Sequence, residues 1–199
     1  MMLVFMLGFL ILGVQSYGPM SQLLNLTSDS NDDMYISRLP MEGQSLLRVR
    51  RGSVDMRFAK EVLDEHNKYR RMHGVPPLTL STSMCNKAQN YADKLTSIGW
   101  LKHSGPGENL SQRGVSPSGK EIVSAWYNEI SSYKNYFGKE PPSGLLLSYG
   151  HFTQVVWKGS RELGVGLAKK NGKSYVVAQY NPPGNMRTDY ANNVPRAKA

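Results

Sequence analysis

Four side chains in the second half of the chain have the chemistry of a metal or acid–base site: His103, Glu108, Glu129 and His151. Neutral imidazole is a good ligand for zinc, and neighbouring carboxylates offset the charge of an ion and orient the rings. His103 and Glu108 share one turn-rich segment, so a single loop can place both on one side of the molecule. Spacing alone does not establish a site, because an isolated histidine is more often structural and an isolated glutamate more often solvated.

Ser104, His66 and His73 could also take part in chemistry, but none of them is assigned to a site. Ser104 follows His103, but serine catalysis needs an oriented nucleophile and oxyanion donors. The sequence contains no nucleophile elbow, so no catalytic residue is predicted. His66 and His73 lie seven residues apart on the first predicted helix and are interpreted as structural.

The elements that must position these side chains begin with helices. Apolar residues recur every three to four positions in four segments, which indicates amphipathic helices. Glycine follows each of the first three segments and predicts where each helix ends. The predicted helices are Phe58–Met72 with its end at Gly74, Ser83–Ile98 with its end at Gly99, a third that begins after Gly119 and ends at Gly138, and Ser148–Trp157.

The strands are predicted mainly near the carboxyl end. Gly164–Ala168 and Ser174–Tyr180 form two apolar runs separated by Asn171-Gly172, which is a strong signal for a hairpin turn. Leu78–Leu80 could add a short strand. Helices come first and the hairpin last, without regular βαβ alternation, so we expect an α+β fold in which helices pack against an antiparallel sheet.

The chain is basic. It has 199 residues and a formal net charge of +9. After Arg51 there are 20 Lys+Arg against 11 Asp+Glu, so the predicted domain carries the whole excess. Such an excess attracts anionic surfaces such as phospholipid, although solubility alone is the alternative interpretation. The domain contains no dense block of lysine and arginine, so a nucleic-acid partner is not expected.

The only cysteine, Cys85, excludes an intramolecular disulfide framework. The apolar core and hydrogen bonds must therefore stabilise the fold. Cys85 lies in an amphipathic stretch and is predicted to be a small buried apolar residue. A reactive or intermolecular thiol is the alternative.

The first residues have the features of a secretion signal. Residues 2–14 form an uncharged apolar run of the length of a signal-peptide core, too short to span a bilayer comfortably. Small residues around Ser16 and Gly18 predict cleavage there, so residues 1–18 are predicted to be a signal peptide. An uncleaved anchor is the alternative.

Residues 19–51 are predicted to be a pro-segment. They are rich in Ser, Asn, Asp and Leu and show no periodicity, and Asn25 begins a glycosylation acceptor. The segment ends in Arg48, Val49, Arg50 and Arg51, the pattern cleaved by proprotein convertases of the secretory route. The mature chain is therefore predicted to begin at Gly52, with one domain over residues 52–199.

Four motifs resemble those of one protein family. In chain order they are His66–Leu78, Gly107–Leu110, His151–Trp157 and Val176–Asn185. They resemble the opening helix, the Gly-Glu-Asn-Leu motif and the two signatures of the CAP superfamily: the cysteine-rich secretory, antigen 5 and pathogenesis-related 1 proteins. The resemblance runs in the right order from about Phe58 to Val194, which is nearly the whole predicted domain.

The resemblance implies a three-layer α-β-α sandwich with a central antiparallel sheet. It also implies a cleft that gathers His103, Glu108, Glu129 and His151. In several members of the family the two histidines bind a divalent cation, often zinc, and the glutamates adjoin it. His103 and His151 are accordingly the expected metal ligands, and Glu108 and Glu129 the cleft carboxylates.

This sequence departs from the better-known secreted members. The usual disulfides and a Cys-rich carboxyl-terminal extension are absent, and the loop between His103 and Glu108 is short. The disulfide-free pattern is most similar to the Golgi-associated plant pathogenesis-related 1 type. That type is intracellular and acylated, whereas this chain carries an export signal and no myristoylation pattern.

The function that the resemblance implies is that of a secreted binding protein of pathogenesis-related 1 type. Its expected partners are a divalent cation in the cleft and a lipid, a sterol or an anionic membrane surface. One alternative is a metal-dependent hydrolase with Glu108 or Glu129 as the base, and another is a receptor or channel ligand. Asn109, which begins a second acceptor motif, is expected to be structural and unmodified.

Overall fold

The structure is a computed structural model that describes residues 53–114 and 116–198. Several predictions concern residues outside these ranges. They are the signal peptide over residues 1–18, the pro-segment over residues 19–51, the acceptor Asn25, and the basic residues Arg48, Arg50 and Arg51 before the predicted cleavage. Among the described residues, no helix combines the length and the apolar character needed to cross a bilayer.

The two long helices lie where the sequence places them. The first begins when the side chain of Asp55 accepts a hydrogen bond from the Phe58 N–H, and it runs to Met72 just before Gly74. The second ends at Gly99, in the left-handed conformation with φ of 86°. The helices are α1 Met56–Met72, α2 Thr82–Ile98, α3 Gly119–Tyr127, α4 Ile130–Tyr133, α5 Leu146–Val155 and α6 Tyr190–Asn193.

The third helix was predicted as one continuous helix, and this prediction is wrong. In place of one helix to Gly138 there are α3, α4 and a 3-10 turn over Lys134–Tyr136. The Asn128 N–H bonds four residues back to Ser124, whereas the Glu129 N–H bonds only three residues back to Trp126, which tightens and ends α3. Periodicity missed the break because the short turn keeps the apolar side chains on the core side of the chain.

Two further boundaries differ from the predictions. The fourth helix, α5, begins two residues earlier than Ser148 and ends two residues before Trp157. The segment that begins at Glu108 is a strand rather than a loop. Hydropathy gave no signal for this strand, because Glu108, Asn109 and Ser111 are buried through hydrogen bonds and strand pairing rather than through apolar character.

The sheet has the strand order β1-β3-β4-β2. Its strands are β1 Thr79–Leu80, β2 Glu108–Arg113, β3 Glu162–Lys170 and β4 Lys173–Asn181. The predicted hairpin joins β3 to β4, and Asn171 and Gly172 turn the chain with φ of 50° and 70°. The antiparallel prediction holds for β3, β4 and β2, whereas the two-residue β1 pairs parallel to β3 at the edge.

Helices cover both faces of the sheet, as expected for an α-β-α sandwich. Helix α2 packs on one face around Ala88, Ala92 and Leu95, and α1, α3 and α5 form the main core on the other face. Helix α2 approaches β3 closely at Gly166, where a Cβ atom would lie 2.3 Å from the Ala88 carbonyl carbon. Cys85 is buried in this layer and accepts a hydrogen bond from the Val165 N–H, in agreement with its predicted apolar role.

Candidate functional site

His151 forms the first of two histidine–carboxylate pairs. Its Nδ1 lies 2.7 Å from Glu129 Oε1, and its backbone N–H donates to Glu129 Oε2 at 2.9 Å. The Phe152 N–H also donates to this carboxylate, at 3.3 Å. The break between α3 and α4 places Glu129 opposite α5, and the Trp126 ring stacks on the imidazole at 6.0 Å between centroids. The imidazole is therefore held in one orientation from two sides.

His103 forms the second pair. Its Nδ1 lies 3.2 Å from Glu108 Oε2, at the start of β2. Ser104 donates to the same carboxylate twice, through its N–H at 3.0 Å and its hydroxyl at 2.7 Å, and Gln179 donates from β4 at 3.3 Å. Because its hydroxyl donates to Glu108, Ser104 is not arranged as a nucleophile activated by His103.

The two members of the His103–Glu108 pair differ in solvent exposure. The side chain of Glu108 is 1% exposed whereas that of His103 is 56% exposed. Burial by itself raises the pKa of the Glu108 carboxyl, but its four hydrogen bonds favour the ionised form, and the net pKa lies below the usual value. Glu108 therefore stays ionised at neutral pH and presents a fixed acceptor to the exposed ring of His103.

A buried chain of hydrogen bonds connects the core to the His151 backbone. His66 Nδ1 lies 2.7 Å from the Val62 carbonyl oxygen, so this nitrogen carries the proton. His66 Nε2 then accepts from the Tyr180 hydroxyl at 2.7 Å. Asn109 Nδ2 donates at 3.1 Å both to that hydroxyl and to the His151 carbonyl oxygen. Burial raises the pKa of Tyr180, so its hydroxyl remains a neutral donor.

Asn109 has the structural role predicted for it. The side chain is buried, and Nδ2, the atom that would carry a glycan, is occupied by two hydrogen bonds. Two contacts were not predicted from the sequence: Gln179 donates to Glu108, and Tyr180 connects Asn109 to His66. Both residues lie on β4 within the second signature, and their strand pairing with β2 was not visible because β2 itself was not predicted.

The orientation of the imidazoles fits a metal-binding role. In metal-ligating histidines one ring nitrogen typically donates to a carboxylate while the other faces the ion. Nδ1 of His103 and of His151 each contacts a carboxylate, and within the described residues neither Nε2 has a hydrogen-bond partner. Zinc uses such neutral imidazole nitrogens as ligands.

The structure brings the four predicted side chains together as two pairs rather than as one cluster. Across residues 53–114 and 116–198, no three His, Cys, Asp or Glu side chains lie close enough to hold one metal ion. The described residues therefore contain no preformed metal centre with three protein ligands. The assignment of His103 and His151 as ligands stays a prediction.

Comparison with known proteins identifies relatives over most of the domain. Golgi-associated plant pathogenesis-related protein 1 of Homo sapiens is 43% identical over 141 residues, which cover 67% of this chain and 88% of that protein. Secreted protein RBT4 of Candida albicans is 41% identical over 150 residues, which cover 69% of this chain but only 38% of that protein.

Solved structures share the fold. The crystal structure of NaASP2 with Zn2+ matches with a TM-score of 0.55 at 22% identity, covering 71% of this chain and 86% of that one. Residues 63–180 match the family model of the CAP domain. The two signatures, the order of elements and these relatives agree, and the chain belongs to the CAP, or cysteine-rich secretory protein, family.

Proposed function

We propose that this protein is a secreted, pathogenesis-related-1-like binding protein whose two site imidazoles hold a divalent cation. The observation that carries the proposal is the paired arrangement of His103 with Glu108 and His151 with Glu129. Each carboxylate holds Nδ1 and leaves Nε2 free within the described residues. Such support is characteristic of imidazoles that bind metal.

The roles of the residues follow from their contacts. Glu129 is held by two backbone N–H groups and fixes the ring of His151, which Trp126 restrains further. Glu108 is buried and ionised and orients the exposed ring of His103. A bound zinc ion would supply a Lewis acid with open positions for an anionic or carbonyl group of a ligand. Because the Ser104 hydroxyl donates to Glu108, its contacts support a role in holding this carboxylate rather than a role as a nucleophile.

Zinc titration tests the cation site. We expect the purified full-length chain to bind zinc at neutral pH, and His151→Ala to weaken the affinity by tenfold or more because one of two protein ligands is lost. Glu129→Gln keeps the shape of the side chain but not its charge, and it should lower the affinity about 10-fold or more. Isothermal titration calorimetry measures both effects.

Lys134→Ala is the control and should leave zinc binding unchanged, because Lys134 is exposed and its side chain forms no hydrogen bond or ion pair with the four site residues. The proposal is wrong if the unaltered chain takes up no zinc, or if His103→Ala and His151→Ala bind it as well as the unaltered chain. Turnover of a peptide library that a chelator abolishes would replace the binding role by a hydrolytic one.

The secretory route is tested by the amino terminus of the exported protein. We expect the protein collected from the medium of eukaryotic cells to begin at Gly52, because cleavage follows Arg51. Arg50→Ala combined with Arg51→Ala should leave the pro-segment attached, which mass spectrometry detects as residues 19–51. A product that begins elsewhere in both proteins, or that never reaches the medium, contradicts the prediction. RBT4, a relative named as a secreted protein, supports this route.

We also propose that the partner of the exported protein is an anionic membrane surface. The excess of cations in the domain supports this, since positive charge on a protein is attracted to phosphatidylserine-type headgroups.

A further inference from the structure

Positive charge is concentrated where the β3–β4 hairpin ends. Lys169 and Lys170 end β3, Lys173 begins β4, and Arg113 ends the neighbouring β2. The strand register pairs Lys170 with Lys173 and places Arg113 opposite Ser174. All four cations are exposed, so the end of the sheet presents a row of positive charge across three adjacent strands.

Little negative charge offsets this row. No ion pair within 4.0 Å joins these four cations to any acid in the described ranges, and the ammonium of Lys169 contacts only the hydroxyl of Ser116 at 3.0 Å. Glu121 interacts electrostatically with Arg113 and offsets part of its charge, although its carboxylate is hydrogen-bonded to Ser118 rather than to Arg113. The cations therefore remain available to an external partner.

Two exposed apolar side chains lie at the same end of the domain. Helix α2 ends at Gly99, whose carbonyl oxygen accepts from the Tyr175 hydroxyl at 3.2 Å, and Tyr175 follows Lys173 by two residues. Trp100 and Leu101 come directly after Gly99 and are 64% and 37% exposed. Exposed tryptophan beside cations is typical of surfaces that lie at the headgroup level of a membrane.

We propose that this surface, formed by Trp100, Leu101, Arg113, Lys169, Lys170 and Lys173 and here called the basic end, is where the protein docks on an anionic membrane. The cations contact lipid phosphates and carboxylates, and Trp100 and Leu101 enter the interface between headgroups and acyl chains. The inference rests on the membrane partner proposed above and assigns the surface that contacts it.

The apolar pair distinguishes a membrane from an acidic polysaccharide as the partner. A polysaccharide is attracted by the row of cations and its sugar rings can stack on Trp100, but it offers no hydrocarbon region for Leu101. A bilayer satisfies both features at once, because polar headgroups meet the cations while the interface accepts the indole ring.

Tryptophan fluorescence gives a direct test, because the other two tryptophans are buried. Trp126 is 4% and Trp157 2% exposed, so a change of emission on binding reports Trp100. We expect vesicles of phosphatidylcholine with phosphatidylserine to shift the emission of the exported protein, collected from the medium, to shorter wavelength at low salt. Vesicles of phosphatidylcholine alone should produce no shift, and Trp100→Phe should bind with the shift abolished.

A charge-matched pair of triple variants tests the surface itself. Lys169→Gln, Lys170→Gln and Lys173→Gln together should weaken vesicle affinity about 100-fold in a sedimentation assay, roughly fivefold for each lysine. The control removes the same charge from exposed lysines elsewhere, with Lys134→Gln, Lys139→Gln and Lys158→Gln. This control should lose far less affinity.

The possible outcomes test the membrane partner and the proposed docking surface separately. If the unaltered chain ignores phosphatidylserine vesicles, the proposed membrane partner fails, and retention on heparin alone would point to a polysaccharide instead. If the chain binds vesicles but both triple variants lose affinity equally, or the Trp100 emission does not shift, the membrane role stands and the basic end is the wrong surface.

Discussion

Replacing Arg70 with alanine is expected to lower the free energy of unfolding by about 4 kcal/mol, enough to unfold a marginally stable domain. Arg70 lies on α1 and is fully buried, and it forms no ion pair with an acid of residues 53–114 or 116–198. Its guanidinium donates to four backbone carbonyl groups at 2.7–3.0 Å. Alanine would remove all four bonds and leave the Pro76 and Val155 carbonyl oxygens without a partner among the described residues. The acceptors are the carbonyl oxygens of Pro76, Val155, Trp157 and Ser160.

The loss of stability is expected to be large because Arg70 joins α1 to the end of α5 and to the segment that follows it. Two of its acceptors lie at the end of α5 and just beyond it, where helix carbonyls have no partner within the helix. Burial lowers the pKa of Arg70 to about 10, and the group is still protonated at neutral pH. A cation at the carboxyl end of a helix is also favoured by the helix dipole.

Arg71→Ala is the matched control, because Arg71 is the next residue and is exposed. It should change stability by no more than about 0.5 kcal/mol. Arg70→Lys should remain strongly destabilising, since an ammonium cannot reproduce the planar set of donors. Urea unfolding followed by circular dichroism measures all three, and a loss below about 1 kcal/mol in Arg70→Ala would refute the role assigned to Arg70.

Acidification from pH 6.5 to 4 is expected to remove about 3 kcal/mol of stability through His66 alone. Burial is the main reason that the pKa of His66 falls from 6.5 to about 4 in the folded protein. The unfolded chain therefore binds a proton that the folded chain excludes throughout this interval. The contribution of neutral His66 is complete above pH 6.5 and is lost as the pH falls towards 4.

The variant His66→Gln isolates this contribution, because an amide does not titrate. It should be less stable than the unaltered chain at pH 7, having lost part of the hydrogen-bonded chain to Tyr180, but it should lose about 3 kcal/mol less on acidification. Burial also lowers the pKa of His73, which remains in both proteins and cancels in the difference. Equal losses, or a His66 ring resonance that titrates near pH 6.5 by NMR, would contradict the assignment.

Local signals were sufficient for the long elements of the fold. The end of α2 at Gly99 and the hairpin at Asn171-Gly172 depend on the backbone freedom of a few residues, which neighbouring sequence reveals. The motifs around His66, His151 and Tyr180 likewise identified the family, and the family implied the four site residues. Cys85 was correctly predicted as buried from its amphipathic surroundings alone.

Polar contacts between distant segments could not be predicted in this way. Strand β2 is buried with polar side chains, and Glu108 and Asn109 are satisfied only by partners on β4, α5 and the preceding loop. Periodicity measures apolar burial, so it records nothing of a strand that is stabilised by such contacts.

The sequence by itself determined the family, the two long helices and the hairpin, and through the family it predicted four site residues. Only the tertiary structure decided that these residues form two pairs, since the break at Glu129 and the strand at Glu108 set which histidine each carboxylate meets. Tertiary structure also brought the end of α2, which directly precedes Trp100, to Tyr175 of β4. Hydrogen bonds and ionic interactions join residues that are close in space but far apart along the chain, whereas local sequence patterns report only on neighbours along the chain.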